Sequence, residues 1–144
     1  MENRFENDKY IIRYFPTDDI VEFFMKDQEI EAKDVIEMHD IVLGFVKGKK
    51  YGTIFTAQSF FSLSADARAE GAKPEYCEFL IAQAFIVRNL AQRLLGNFVV
   101  RFLPRPKQAK LFTDYQEARK WILEKIENHK KNKGMGIQPL VFNA

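Results

Sequence analysis

Tyr10–Phe15 and Ile20–Met25 are two runs of strand formers separated by the breaker cluster Pro16-Thr17-Asp18-Asp19, after which the apolar period turns helical. Four residues of Pro, Thr and Asp have the length and chemistry of a hairpin turn, so the chain opens with two antiparallel strands. A short strand around Glu29–Glu31 fits after Lys26-Asp27-Gln28. Val35, Met38, Ile41, Val42, Phe45 and Val46 then line one face of a helix that stops at Gly48.

Beyond Gly48 strand and helix patterns alternate. Thr53–Ala57 is short and apolar enough for a buried central strand. Ser62-Leu63-Ser64-Ala65-Asp66 offers a hydroxyl N-cap to a short helix ending near Gly71, and Pro74 opens a further turn through Phe79. Ile81–Val87 reads as a strand leading into an Asn89-capped helix to about Leu103, which Pro104 and Pro106 stop. Lys110–Thr113 is a last strand. Asp114 and Glu117 have the spacing of a capping box for a closing helix that buries Tyr115, Ala118, Ile122 and Ile126, with Trp121 at the border. Crossover helices set the later strands parallel, so the expected class is α/β with a mixed sheet and an opening β-hairpin.

A length of 144 residues suits one domain. We place it at residues 10–127, with 1–9 as an N-terminal extension and 128–144 as a basic, then apolar, tail. Within that tail Ile137–Phe142 is apolar and β-prone, and is expected to dock on a sheet edge or across a partner subunit. Lys and Arg number 22 against 20 Asp and Glu, a net charge of +2 that gathers neither nucleic acid nor anionic lipid by itself. The cations of Arg101–Lys110 and Lys125–Lys133 lie near Phe98, Phe102 and Phe112, but those aromatics fall on core positions, and lysines late in a helix answer its dipole. No nucleic-acid partner is expected.

The single cysteine, Cys77, makes no internal disulfide, and with two histidines it builds no zinc site, which suits a reducing cytoplasm. The first nine residues are polar and carry no export signal. Phe79–Leu103 is interrupted by Gln83, Arg88, Asn89, Gln92, Arg93, Asn97 and Arg101, too many polar groups for a membrane span. His39 and His129 belong to no catalytic pattern, no phosphate-binding glycine motif is present, and Asp18-Asp19 and Glu29/Glu31 read as ordinary solvated acids. No catalytic residue, metal or cofactor is expected, and the chain reads as a binding module rather than an enzyme.

Ala82-Gln83-Ala84-Phe85-Ile86-Val87, then Asn89-Leu90-Ala91-Gln92-Arg93-Leu94-Leu95-Gly96-Asn97-Phe98, then Lys110-Leu111-Phe112-Thr113-Asp114, then Glu117-Ala118 and Trp121-Ile122 resemble the uncharacterised bacterial branch of the STAS/SpoIIAA-like families. The upstream order of elements agrees, so the likeness spans roughly residues 10–127. It implies a SpoIIAA-like mixed β-sheet with helices mainly on one side, in domains that bind and regulate, as anti-sigma-factor antagonists do. In those antagonists a serine at a helix start is phosphorylated within Asp-Ser-Ser-Gly; the corresponding stretch here holds Ser62 and Ser64 without the flanking Asp and Gly.

The expected function is therefore a non-enzymatic regulatory or protein-interaction module with a protein partner, a homodimer included. Ser62, Ser64, Arg88, Asn89, Gln92 and Arg93 are its candidate contacts. The alternative is a carrier of a small apolar, lipid-like ligand, because 14 phenylalanines over a mixed sheet can line a pocket, with Phe60, Phe61, Phe85 and Phe98 as candidate walls.

Overall fold

The computed structural model describes residues 3–57, 62–89 and 108–134. In chain order these form β1 (Arg4–Glu6), β2 (Tyr10–Phe15), β3 (Ile20–Met25), β4 (Glu29–Ile30), α1 (Ala32–Val46), β5 (Tyr51–Ala57), β6 (Ser62–Leu63), α2 (Ala65–Gly71), a 3-10 turn (Pro74–Cys77), β7 (Leu80–Ile86), β8 (Ala109–Phe112) and α3 (Tyr115–Gly134). Among the described residues the main sheet has six strands in the order β1-β2-β3-β5-β7-β8. The first three run antiparallel, and β3, β5, β7 and β8 run parallel. The expected hairpin is present in full register, from Tyr10↔Met25 to Phe15↔Ile20. Its turn holds Asp19 at φ 58, a left-handed position that a short polar side chain tolerates.

Strand side chains alternate between faces, so each strand feeds two cores. On one face Tyr10, Ile12 and Tyr14 of β2 join Val21, Phe23 and Met25 of β3, Val42 and Val46 of α1, and Ala67 of α2. On the other, Ile20, Ile54, Ala82 and Ala84 meet Ala118, Ile122 and Ile126 of α3. Two of the three helices in the described residues thus stand on one face and the third on the opposite face. Tyr10, Ile12, Ile20 and Ile122 are fully buried, and side chains of this size each contribute about 1.5–3 kcal/mol when removed from water. Gly52 lets α3 lie close: a Cβ built there would stand 2.6 Å from Ile122 Cγ2.

Three boundaries differ from the sequence reading. Arg4–Glu6, taken as part of an N-terminal extension, is an edge strand paired antiparallel with β2. Phe5 turns inward, its ring 6.1 Å from that of Tyr10, and a three-residue strand is too short to show a period. The stretch Glu29–Glu31 does not join the main sheet: Glu29–Ile30 pairs in parallel with Ser62–Leu63 as a separate ribbon, and Glu31 caps α1. The closing helix runs past residue 127 to Gly134, so the tail begins as helix, with Lys130 and Lys131 exposed. Ile137–Phe142 and the helix read from Asn89 to Leu103 lie outside the described residues, apart from the start of the latter at Asn89. Among the described residues no helix is long and apolar enough to cross a membrane.

Candidate functional site

Ser64 sits between β6 and α2 in extended backbone, φ −65 and ψ 163, where an N-cap residue belongs. Its Oγ accepts from the Ala67 N–H at 3.0 Å, and its carbonyl accepts from the Arg68 N–H at 3.0 Å. Arg68 in turn donates to the Leu63 carbonyl at 2.8 Å. The β4–β6 ribbon ties this helix start to the preceding one, since the Ser64 N–H donates to the Ile30 carbonyl at 2.9 Å and Ile30 is completely buried. Ser62 is exposed on the same ribbon.

The start of α1 is held from beneath. Asp34 and Glu31 form a reciprocal capping box, with the Glu31 N–H donating to Asp34 Oδ2 at 2.8 Å. Lys9 reaches the same carboxylate at 2.7 Å and Glu31 at 3.2 Å. Burial by itself would raise the Asp34 pKa, but the Lys9 ammonium and the Glu31 N–H outweigh it and hold the carboxyl below its usual value. The Asp34 carboxylate, with that of Glu31, raises the Lys9 pKa against its own desolvation. Tyr10 donates its hydroxyl to Glu37, and Asn7 Nδ2 donates to the same oxygen at 3.2 Å. Burial, then the Glu37 carboxylate, pushes the Tyr10 phenol well above its ordinary range.

Ser62, Ser64, Arg88 and Asn89 share one end of the molecule, the C-terminal end of the parallel strands. The ribbon follows the ends of β3 and β5, while Arg88 and Asn89 follow β7 and are exposed. Sites in open α/β sheets gather at this end. Gln92, Arg93, Phe60, Phe61 and Phe98 lie outside the described residues. Phe85 is half-buried and stacks on Phe55 with centroids 5.0 Å apart, and Phe55 stacks on Phe23 at 4.5 Å. This phenylalanine row crosses three strands because the register aligns Phe23, Phe55 and Phe85.

Asp18 and Asp19, read as solvated turn acids, are engaged instead. Asp19 is 7% exposed. It accepts from the Tyr14 hydroxyl at 3.5 Å and pairs with Lys49 at 3.7 Å and Lys130 at 3.2 Å. Asp18 pairs with Arg119, whose guanidinium also donates to Glu22 at 3.5 Å and to the Tyr115 hydroxyl at 3.4 Å. Arg119 lies over the Phe15 ring at 5.5 Å, and Arg13 lies over the same ring at 5.0 Å. Burial, followed by the Glu22 carboxylate it donates to, raises the Tyr115 pKa. This latch joins α3 to the hairpin. The i, i+4 spacing of Tyr115 and Arg119 shows that they share a helix face, but nothing in the sequence pairs them with a turn about a hundred positions earlier.

Residues 14–126 match the family described as domain of unknown function DUF7793. Among curated proteins none matches the chain. Among solved structures it is similar to an uncharacterised protein of the DUF3478 family with a SpoIIAA-like fold, from Shewanella loihica PV-4. The TM-score is 0.58 at 17% identity, over 82% of this chain and 98% of that one. At that identity the likeness speaks to the fold alone, and the fold here is SpoIIAA-like, as the strand and helix order implies.

Proposed function

We propose that this chain, which belongs to the DUF7793 family, is a non-enzymatic, cytoplasmic regulatory or protein-interaction module that meets a protein partner, a second copy of itself included, around the start of α2. The observation that carries the reading is the β4–β6 ribbon, which locks the starts of α1 and α2 to each other through the Ser64 N–H and Ile30 carbonyl contact at 2.9 Å. Groups ordered by the fold lose little freedom on binding, so such a surface suits recognition. Ser64 serves as a helix cap, and Ser62 is the serine this surface presents to solvent.

The test places a photo-crosslinking side chain at position 62 in cells and measures adduct masses by mass spectrometry of the purified chain. The expected product is a protein–protein adduct, with a dimer mass if the partner is a second copy. The same adduct should be lost when Asp66 and Arg68, exposed on the first turns of α2, are both replaced by Trp. A chain that yields no protein adduct and instead retains a small apolar molecule in native mass spectrometry would refute the reading and favour the lipid-like carrier.

A further inference from the structure

At the far edge of the sheet from the hairpin, β8 pairs with β7 and, among the described residues, with no strand on its outer side. Lys110 and Phe112 project to the face covered by α3, because their register partners on β7 are Ala84 and Ile86, which pack in that core. There they continue a row onto the helix. The Lys110 ammonium stands 5.3 Å from the Phe112 ring centroid, Phe112 and Trp121 stand 5.6 Å apart, and the Lys125 ammonium lies 5.4 Å from the Trp121 centroid. Lys110 is exposed, and Phe112, Trp121 and Lys125 are half-buried. Among the described residues neither ammonium has a carboxylate within 4.0 Å, a condition they share with Lys47, Lys50, Lys120 and Lys131; what sets Lys110 and Lys125 apart is that they flank the Phe112 and Trp121 rings beside the edge strand.

We infer that the outer edge of β8 receives an extended acidic segment of a partner protein, added as a strand. The edge offers a row of backbone donors and acceptors, which an extended peptide satisfies and a nucleotide backbone does not. Side chains of an added strand that project to the α3 face fall beside Lys110 and Phe112. An acidic residue there meets an uncompensated ammonium, and an apolar or aromatic residue two positions on meets the Phe112 and Trp121 rings. Charge complementarity separates this occupant from the chain's own Ile137–Phe142, which contains no acidic residue. This surface is separate from the α2 surface, and neither proposal rests on the other.

The probe is a fluorescein-labelled, C-terminally blocked peptide of two Glu-Thr-Tyr-Thr repeats, titrated against the full chain by anisotropy. A Lys-for-Glu version and single-stranded oligothymidylate are the comparisons. The acidic peptide should bind, weaken as salt rises, and slow amide exchange in Ala109–Phe112. Replacing both Lys110 and Lys125 by Glu should weaken it about tenfold, while the same change at Lys33 and Lys73, away from the β8 edge, should leave it unaltered. If the double reversal lowers the melting temperature, the double Gln variant reads the same loss at smaller size. Equal binding of the Lys-for-Glu peptide, tighter binding of the oligonucleotide, absence of binding, or protection elsewhere than β8 would each overturn the inference.

Discussion

Replacing Gly52 by Ala should destabilise the protein, although the same change in a strand interior ordinarily helps. Gly52 lies on central β5, and its N–H donates to the Asp19 carbonyl at 3.0 Å. Alanine there would remove chain freedom from the unfolded state, a gain of about 0.4–1 kcal/mol where the site has room. It has none, because the new Cβ would stand 2.6 Å from Ile122 Cγ2 and 3.4 Å from Ile126 Cδ1, and both isoleucines are buried. The Ile122 methyl sits on a β-branched carbon and cannot swing aside, so α3 must shift. Overpacking of this kind costs about 1–3 kcal/mol, which leaves a net loss of about 1–2 kcal/mol, or a drop of roughly 3–8 °C in melting temperature for a chain of this size. Gly44→Ala on α1 is the control of opposite sign, since nothing lies within 4 Å of its Cβ and alanine favours a helix interior by about 0.8–1 kcal/mol. Ile122→Leu moves the branch away from the clash, so the pair Gly52→Ala and Ile122→Leu should lose less than the sum of the two, by about 1 kcal/mol. Urea denaturation of the four variants reads these terms. A neutral or stabilising Gly52→Ala, or strict additivity of the pair, would refute the close approach of α3.

Arg119→Ala removes the Asp18 pair, the Glu22 and Tyr115 contacts and the stacking on Phe15; it should cost about 1–2 kcal/mol, with the difference from wild type shrinking in 1 M salt, the ionic strength at which screening length falls to about 3 Å. Ser64→Ala should cost about 1 kcal/mol of thermal stability through the lost cap, and Ser64→Asp should restore most of it. His39 stands edge-on to Tyr76 with centroids 4.6 Å apart, and its pKa is lowered by burial, partly opposed by Asp40, Glu75 and Glu78. The unfolded imidazole therefore binds its proton first as pH falls below about 6.5, stability declines from pH 7 toward the lower folded value, and His39→Gln should flatten that decline in urea midpoints measured between pH 7 and 5. Asp34, whose folded pKa lies below the 3.8 of the unperturbed group, contributes stability that is present above that value and lost as pH falls through the folded one. Asp34→Asn should accordingly reduce the additional acid sensitivity below pH 4 in circular dichroism melts.

The parts of this fold legible in the sequence are those in which the deciding residues are neighbours along the chain. Pro16-Thr17-Asp18-Asp19 shows a hairpin because turn chemistry is local. Ser64 and Asp114 show helix starts because a cap reaches only to the third residue beyond, here the Ala67 and Glu117 N–H groups at 3.0 and 2.9 Å. Glu31 escapes the same logic: glutamate is not a favoured N-cap, and it serves here because Asp34 closes the box and Lys9, 22 residues earlier, neutralises it. Phe23, Phe55 and Phe85 read as strand residues one by one, but their stacking depends on parallel register, which strands joined by crossovers do not reveal. Arg119 and Asp18 lie 101 positions apart, and Lys110 and Trp121 meet through Phe112 only once α3 has folded over β8. The features most informative about partners belong to this second kind. Charge totals near neutrality hide them, because a net charge of +2 does not say which cations lack a carboxylate or where in the fold they stand. Only the position of each lysine in space tells that. The row of Lys110, Phe112, Trp121 and Lys125 beside the edge strand, rather than any motif, is what the proposed β8 contact rests on.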